Sequence, residues 1–312
     1  MELQALANRL VRNRARLEAF ARRHDLTAWR LYDLDIPEFR CTVDVYGEHV
    51  VVTALQGLQD DAAFHRALAT TVAETLRLPA DRVHLKVRRR HAPGETQYEK
   101  AEQDGPRLEV REQGQRFLVD LDQYVDTGLF MDHRRTRALV RDEAKGRRVL
   151  NLFCYTGAFT VYAAHGGATE TTSVDASPRY LEWARANLTL NGLDGPGHRF
   201  IRADVLEWLP HATGMFDLAI VDPPSFSSGG RVGTTWDVQR DHVDLLARVR
   251  ARLAPGGVLY FSTNFRGFRP DERAFHGTTC RELTPASIPD DFRQRDIHRC
   301  WRMEQRPNTP GP

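Results

Sequence analysis

Cysteine is scarce and never closely spaced. The 312 residues contain four, Cys41, Cys154, Cys280 and Cys300, with no CxxC pair. That argues against a metal cage, so no metal is expected, and it leaves reduced thiols in a cytoplasmic protein as the expectation. Long apolar runs are also lacking, since none approaches the ~20 residues of a membrane span. The amino-terminal MELQALANRLVRNRARLEAF alternates apolar and basic residues, without the apolar core and small-residue cleavage site of a signal peptide. Nor is there a strong net charge. Lysine and arginine number 44 against 42 acids, a formal +2, which by itself does not announce a nucleic-acid partner. A content of 41% hydrophobic and 28% charged residues fits a soluble globular protein of one large or two ordinary domains.

The placing of the charge says more than its sum. Arg9, Arg12, Arg14, Arg16, Arg22 and Arg23 crowd one amino-terminal helical pattern. Lys86, Arg88, Arg89 and Arg90 form a second cluster, and Arg134, Arg135, Arg137 and Arg141 a third. Such clusters suit phosphate contacts, or they are solvated faces paired with nearby acids. Residues 4–24 and 61–77 have helical spacing, the second stopping before Pro79. Strand-like segments fall at 41–54 around Gly47, at 83–88, and at 107–112 and 115–120 with Gln113-Gly114 between them as a turn. Residues 1–125 therefore read as a mixed α+β accessory or RNA-binding domain.

From there strand and helix alternate. VLNLFC (149–154), TTSVD (171–175), HRFIRAD (198–204), FDLAIVD (216–222) and VLYFST (258–263) are separated by helical segments. The pattern is that of a doubly wound α/β sheet, a Rossmann-like domain over 126–305, with 306–312 as a disordered tail. Ligands in such sheets bind at the carboxyl ends of the strands. The first strand ends in Asn151-Leu152-Phe153-Cys154-Tyr155-Thr156-Gly157, which is not GxGxxG. A turn without a phosphate cradle suits a cofactor without phosphates, such as S-adenosylmethionine, and Gly157 would let backbone approach it closely. Asp175 ends the second strand, placed to accept from ribose hydroxyls. Asp204, after Ala203, ends the third, placed to accept from an adenine amino group. Each acid alone could equally be a helix cap. The fourth strand runs into Asp222-Pro223-Pro224-Ser225-Phe226, whose prolines hold the chain extended and aim Asp222 and its neighbouring carbonyls into the cleft, with Phe226 available for stacking on a base.

These motifs, in this order, resemble the class I methyltransferases of ribosomal RNA. Residues 7–303 are more closely similar to the K half of the bacterial 23S ribosomal RNA methyltransferase K/L family. The resemblance is carried by Asp126-Thr127-Gly128-Leu129-Phe130, Asp132-His133-Arg134, Tyr180-Leu181-Glu182-Trp183-Ala184, Asp237-Val238-Gln239-Arg240-Asp241-His242 and Arg266-Gly267-Phe268-Arg269. It implies guanine-N7 methylation of 23S ribosomal RNA, naked or in an assembling large subunit, with a segment Asp126–Arg134 that closes over the cofactor. The cofactor-binding set is then Phe130, Asp132, Arg134, Asn151, Phe153, Tyr155, Thr156, Gly157, Asp175, Ala176, Ser177, Asn191, Ala203, Asp204 and Asp222. Asp222, Pro223, Pro224, Phe226 and Asn264 form the acceptor site, with Arg266 beside them. The family's guanine-N2 methyltransferase half has no counterpart here, which implies a separate protein to supply it, or RNA binding by the first 125 residues.

The residues also weigh on the acceptor. Cytosine-C5 methylation needs a cysteine nucleophile, and Phe261-Ser262-Thr263-Asn264-Phe265-Arg266-Gly267 contains none. Guanine N7 carries no proton and needs positioning above all. A different RNA nucleotide, such as an exocyclic guanine nitrogen, and an RNA-binding assembly factor with a residual cofactor pocket are the alternatives.

Overall fold

The computed structural model describes residues 3–55, 57–59, 61–87, 105–124, 126–227 and 235–306. Arg88, Arg89 and Arg90 lie outside the described residues, as does the expected tail beyond Arg306. The chain forms two compact units, Met1–Met131 with Pro289–Gln294, and Asp132–Ile288 with Arg295–Pro312. The division by sequence at 125/126 did not foresee the return of a short late segment to the first unit.

The first unit opens with α1 (Gln4–Arg23), which buries Leu6, Leu10, Leu17 and Ala21 along one stripe. Buried Asn13 on that stripe is satisfied by donating to the Leu31 carbonyl at 2.9 Å. The strands β1 (Ala28–Asp33), β2 (Cys41–Tyr46), β3 (His49–Ala54) and, after α2 (Ala62–Leu76), β4 (Val83–Val87) form one sheet in that order. β1, β2 and β3 run antiparallel, and the α2 crossover makes β4 parallel to β3. Asp61 caps α2 by accepting from the Phe64 amide at 2.7 Å. A hairpin follows, β5 (Leu108–Glu112) and β6 (Gln115–Val119). Its turn residues Gln113 and Gly114 both have positive φ, the twist a two-residue hairpin needs.

β1 was not foreseen, because Arg30 and Asp33 interrupt its apolar pattern. Both are paired inside the unit. Arg30 forks onto the Asp44 carboxylate (2.7 and 3.0 Å) and lies over the Phe292 ring at 4.5 Å. Burial pushes the Asp44 carboxyl up, opposed by Arg30. Asp33 accepts from the Arg293 and Gln294 amides, both at 2.9 Å, and so fastens the Pro289–Gln294 segment. Asp33→Ala leaves these two donors without their acceptor, a cost of about 2–4 kcal/mol. Hydrogen exchange at Arg293 and Gln294 should accelerate, and the denaturation midpoint should fall.

In the second unit α3 (Arg134–Glu143) leads to a seven-stranded sheet. Its strands are β7 (Arg148–Leu152), β8 (Glu170–Asp175), β9 (His198–Arg202), β10 (Phe216–Val221), β13 (Leu253–Thr263), β14 (Thr278–Glu282) and β15 (Arg299–Gln305). Between them run α4 (Ala158–His165), α5 (Pro178–Leu190), the short α6 (Val205–Trp208), a two-residue pair β11 (Phe226–Ser227) and β12 (Trp236–Asp237), and α7 (Val238–Arg250). The order is β14-β15-β13-β10-β7-β8-β9, parallel from β13 to β9, with β15 antiparallel to both its neighbours. The central strands bury both faces, as a covered parallel sheet must. Leu218, Ile220, Val258 and Tyr260 pack with Val140 and Ala163, while Ala219, Val221, Leu259 and Phe261 pack with Leu245 and Val249. The chain leaves β7 toward β8 and β9 and returns through β10 on the other side. The carboxyl ends of β7 and β10 thus flank the switch point of a doubly wound sheet. The expected Rossmann-like α/β architecture is present.

Candidate active site

The loop after β7 is tightly constrained. Phe153 (φ 55°) and Tyr155 (φ 48°) both adopt left-handed backbone, a conformation that costs non-glycine residues energy and persists only where the surroundings hold it. The surroundings can be named. The Cys154 amide donates to the Val174 carbonyl at 3.1 Å, and the Tyr155 amide to Asp175 Oδ2 at 3.0 Å. Asn187 on α5 donates from Nδ2 to the Thr156 carbonyl at 2.9 Å. Gly157 (φ 73°) caps α4, and a Cβ on it would lie 2.7 Å from the Ala184 Cβ. The glycine is therefore required by contact with α5 and by its left-handed backbone.

Asp175 ends β8 with one oxygen on the Tyr155 amide and the other on the Ser177 amide at 2.9 Å. Burial nevertheless pushes its carboxyl up, against the pull of these backbone donors. Ser177 caps α5 by accepting from Tyr180, and Ala176 between them is exposed. Ala203 is tied to the end of β8, its amide donating to the Asp175 carbonyl at 3.1 Å. Asp204 caps α6, Oδ1 accepting from Leu206 (2.8 Å) and Glu207 (3.3 Å), so the helix-cap reading holds for this acid.

Two asparagines expected at the cofactor are spent elsewhere. Asn151 is buried with Nδ2 on Thr160 Oγ1 at 2.9 Å, which in turn meets Ser173 Oγ at 2.7 Å. Asn191 donates back to the Asn187 carbonyl at 2.7 Å and closes the end of α5. Asn187, which no local pattern marks, is the one that grips the loop.

After β10, Asp222 is half-buried and its Oδ1 accepts from Ser262 Oγ at 2.6 Å. Pro223 is buried, and the Pro224 carbonyl accepts from Trp236 Nε1 at 2.7 Å. That carbonyl is thus engaged by an indole, where the sequence had suggested it faced the cleft. The Ser225 carbonyl takes the Val238 amide at 3.1 Å, and β11 pairs with β12, so the Pro-Pro segment is braced on its far side. Trp236 also approaches the Phe153 ring, 6.2 Å between centroids, linking the two loops. Phe226 is 58% exposed and Phe265 40% exposed. Asn264, also exposed, accepts at Oδ1 from Ser225 Oγ at 2.5 Å, which joins the loops after β10 and β13. Arg266 beside it is exposed.

Ahead of α3 the expectations need correction. Asp132, expected at the cofactor, lies in the 3-10 turn Met131–His133, and its Oδ2 meets His298 Nδ1 at 2.8 Å. Arg134 and Arg137 are interior, 2% and 1% exposed, with the Arg137 guanidinium near the Phe159 and Tyr162 rings. This third cluster is therefore not a phosphate-facing stripe. Phe130 falls in the first unit, where it is exposed.

None of the four thiols is primed for attack. Burial pushes Cys41 and Cys300 up to about 12, Cys280 to about 11, and Cys154 well above its ordinary value. Among the described residues one group, Asp132, His133 and His298, brings three potential metal-ligand atoms within 4.8 Å of one another. No helix there is long and apolar enough to cross a membrane.

A Rossmann-like sheet, a strained loop without a phosphate cradle, and carboxylates at successive strand ends together suit a nucleoside cofactor that lacks phosphates. Residues 37–287 match the S-adenosylmethionine-dependent methyltransferase family, and the chain belongs to it. It is 46% identical over 310 residues to the ribosomal RNA large subunit methyltransferase K/L of Pseudomonas aeruginosa, which takes in 97% of this chain and 42% of that protein. It is 41% identical over 313 residues to the ribosomal RNA large subunit methyltransferase K of Neisseria meningitidis serogroup B, 98% of this chain and 88% of that one. The chain thus spans less than half the length of the K/L relative. The crystal structure of SMU.776, complexed with SAH, superposes with a TM-score of 0.81 at 24% identity, over 97% of this chain and 82% of that one, a likeness of fold.

Proposed function

We propose that the chain transfers a methyl group to N7 of a guanine in 23S ribosomal RNA, naked or within an assembling large subunit. The observation that carries this reading is the Asp222 carboxylate, fixed by Ser262 at the end of β10, four residues before the exposed Phe226. When bound, S-adenosylmethionine supplies an electrophilic methyl group. Phe153, Tyr155, Thr156, Asp175, Ala176, Ser177 and Ala203 would hold it, with Asn151, Gly157, Asn187 and Asn191 shaping the loop around it.

The chain's residues then have to orient the base. Phe226 and Phe265 offer aromatic faces for stacking, a sequence-tolerant contact worth about 1–3 kcal/mol per base. N7 has an in-plane lone pair and no proton, so no strong base is needed, and the purine becomes cationic as the new bond forms. A fixed carboxylate in a partly buried site stabilises that charge or grips the N–H edge of the base. Methylation of an exocyclic amine would require acceptors for its N–H groups, and Trp236 already engages the Pro224 carbonyl. Cytosine-C5 chemistry would require a thiolate, which burial opposes at all four cysteines. The names of the relatives, ribosomal RNA large subunit methyltransferases K and K/L, support the choice of RNA. N7 faces the deep major groove of A-form RNA, so the target base must be extruded or unpaired.

The first unit supplies RNA contacts in this reading. Arg12, Arg16 and Arg23 are exposed and recur at helical spacing along α1, whose one acid, Glu18, pairs with Arg14 on another face. Changing Arg12, Arg16 and Arg23 together to alanine should weaken RNA binding at least about tenfold. The slope of log affinity against log salt should become shallower by about 2, as measured by filter binding across a salt series.

The decisive test of the function is incubation with tritiated S-adenosylmethionine and unmodified 23S ribosomal RNA, followed by digestion to nucleosides. Label in 7-methylguanosine is expected, with little transfer to mature large subunits. Label in another nucleoside would overturn the acceptor.

A further inference from the structure

Behind Asp222 lies a buried polar constellation that the methyl-transfer reading leaves unused. His133 and His298 stack with centroids 4.3 Å apart and planes 11° apart, and Phe159 meets the His133 ring in an edge arrangement, centroids 5.9 Å apart. His298 is held at both nitrogens, Nδ1 on Asp132 Oδ2 at 2.8 Å and Nε2 on Ser287 Oγ at 3.0 Å. His133 is held differently. Its Nε2 lies between two carboxylates, 3.6 Å from Asp132 Oδ2 and 3.7 Å from Asp222 Oδ2, electrostatic contacts longer than a hydrogen bond. Its Nδ1 is buried and has no hydrogen-bond partner among the described residues.

This geometry does not suit a metal ion. Lone pairs of imidazoles lie in the ring plane, so stacked rings direct them side by side and not toward one point. Both His298 nitrogens are also taken by hydrogen-bond partners. The arrangement suits a neutral imidazole. A buried N–H without an acceptor costs more than a buried lone pair without a donor, which places the single proton on Nε2, between the carboxylates. Protonation at Nδ1 would bury an orphaned cationic donor.

We propose that His133 is a positioning residue for methyl transfer: as a neutral imidazole clamped by His298, it holds the Asp222 carboxylate toward the acceptor base without neutralising its charge. The inference rests on the role given to Asp222 above. A permanent cation in this place would pair with Asp222 and cancel the field that favours a cationic product, whereas a neutral N–H orients the carboxylate and leaves the charge in place. The charged and titratable groups facing His133 are Asp222, Asp132, His298 and Arg137. Burial holds its pKa below the usual histidine range, with His298 and Arg137 acting in the same direction and the two carboxylates opposing.

Two measurements on the full-length protein test this. The first is a double-mutant cycle read as single-turnover label transfer to total RNA, whatever the nucleoside. His133→Leu is expected to lower the rate roughly 10- to 100-fold, with KM for RNA and cofactor within about twofold, and His133→Gln, which restores an N–H donor, to recover most of it. Asp222→Asn is expected to cost clearly less in the His133→Leu background than in wild type, the double variant falling no lower than Asp222→Asn alone. Fully additive losses, or a His133→Gln variant no better than His133→Leu, would overturn the proposal, because packing alone predicts both. The second measurement needs no RNA. Two-bond proton–nitrogen spectra of histidine-labelled protein should show His133 neutral, with the proton on Nε2, at about pH 6.5, where an ordinary histidine is half protonated. A proton on Nδ1, or titration near pH 6.5, would overturn it. Label in a nucleoside other than 7-methylguanosine would defeat the acceptor assignment and leave both of these results standing.

Discussion

Asp222→Ala is expected to reduce methyl transfer by roughly 10²–10³-fold, the usual loss when a preorganised charge-stabilising group is removed. The reason is geometric. Ser262 holds Oδ1 at 2.6 Å and the Pro-Pro segment behind it is braced by Trp236 and β12, so the carboxylate is fixed before any substrate arrives. Asp222→Asn retains a side-chain acceptor for Ser262 and the shape of the group, but loses the charge. It should fall close to the alanine variant if charge matters, and close to wild type if a hydrogen bond suffices. RNA affinity by filter binding should be unchanged in both, because the phosphate contacts proposed for α1 lie in the other unit. Wild-type turnover in Asp222→Ala would reject the role given to this carboxylate. A loss of turnover with RNA binding intact would reject the view that the chain is only an RNA-binding assembly factor.

The second large effect concerns Gly157. Adding a methyl group there places a Cβ 2.7 Å from the Ala184 Cβ and 3.1 Å from its Cα, at a φ of 73°. Left-handed backbone costs a non-glycine residue about 1–2 kcal/mol, and overpacking adds about 1–3 kcal/mol. Gly157→Ala should therefore lower stability by about 2–5 kcal/mol by chemical denaturation, and cofactor affinity measured calorimetrically should fall with it. Ala184→Gly in the same chain removes one of the two clashing atoms. It should restore part of the loss and leave the backbone share, so the double variant separates the two costs. A Gly157→Ala protein with wild-type stability would mean that α4 and α5 can separate without consequence for the loop.

How far the sequence revealed the fold follows from which strands bury both faces. β7 and β10 are short, nearly uninterrupted apolar runs, and both were legible along with the helices between them. β14 and β15 were not, because they are antiparallel strands at one margin of the sheet and carry arginines and glutamates. Arg299 pairs with Glu282, and Arg302 with Glu143, so the charges that hid these strands are satisfied by neighbours far along the chain. The candidate site divides in the same way. Asp175, Asp222 and the loop from Phe153 to Gly157 follow from their positions at strand ends. Asn187, Trp236 and His298 act through tertiary contacts, and no spacing in the sequence marks them. Asn151 and Asn191 show the converse, since each stands where a ligand residue could and each is consumed by the fold.

The small excursion at Pro289–Gln294 has a consequence for the order of events during synthesis. Asp33 and Arg30 leave the ribosome well before their partners Asp291, Arg293 and Gln294, which emerge only after most of the second unit. The first unit can be completed only after most of the second has been made, with β15 still to come. Until then the buried carboxylates of Asp33 and Asp44 must share Arg30 alone. Completion of the first unit is thereby coupled to translation of the sheet that follows it, and a ribosome that stalls before residue 289 leaves a nascent chain whose opening unit still lacks its final strap.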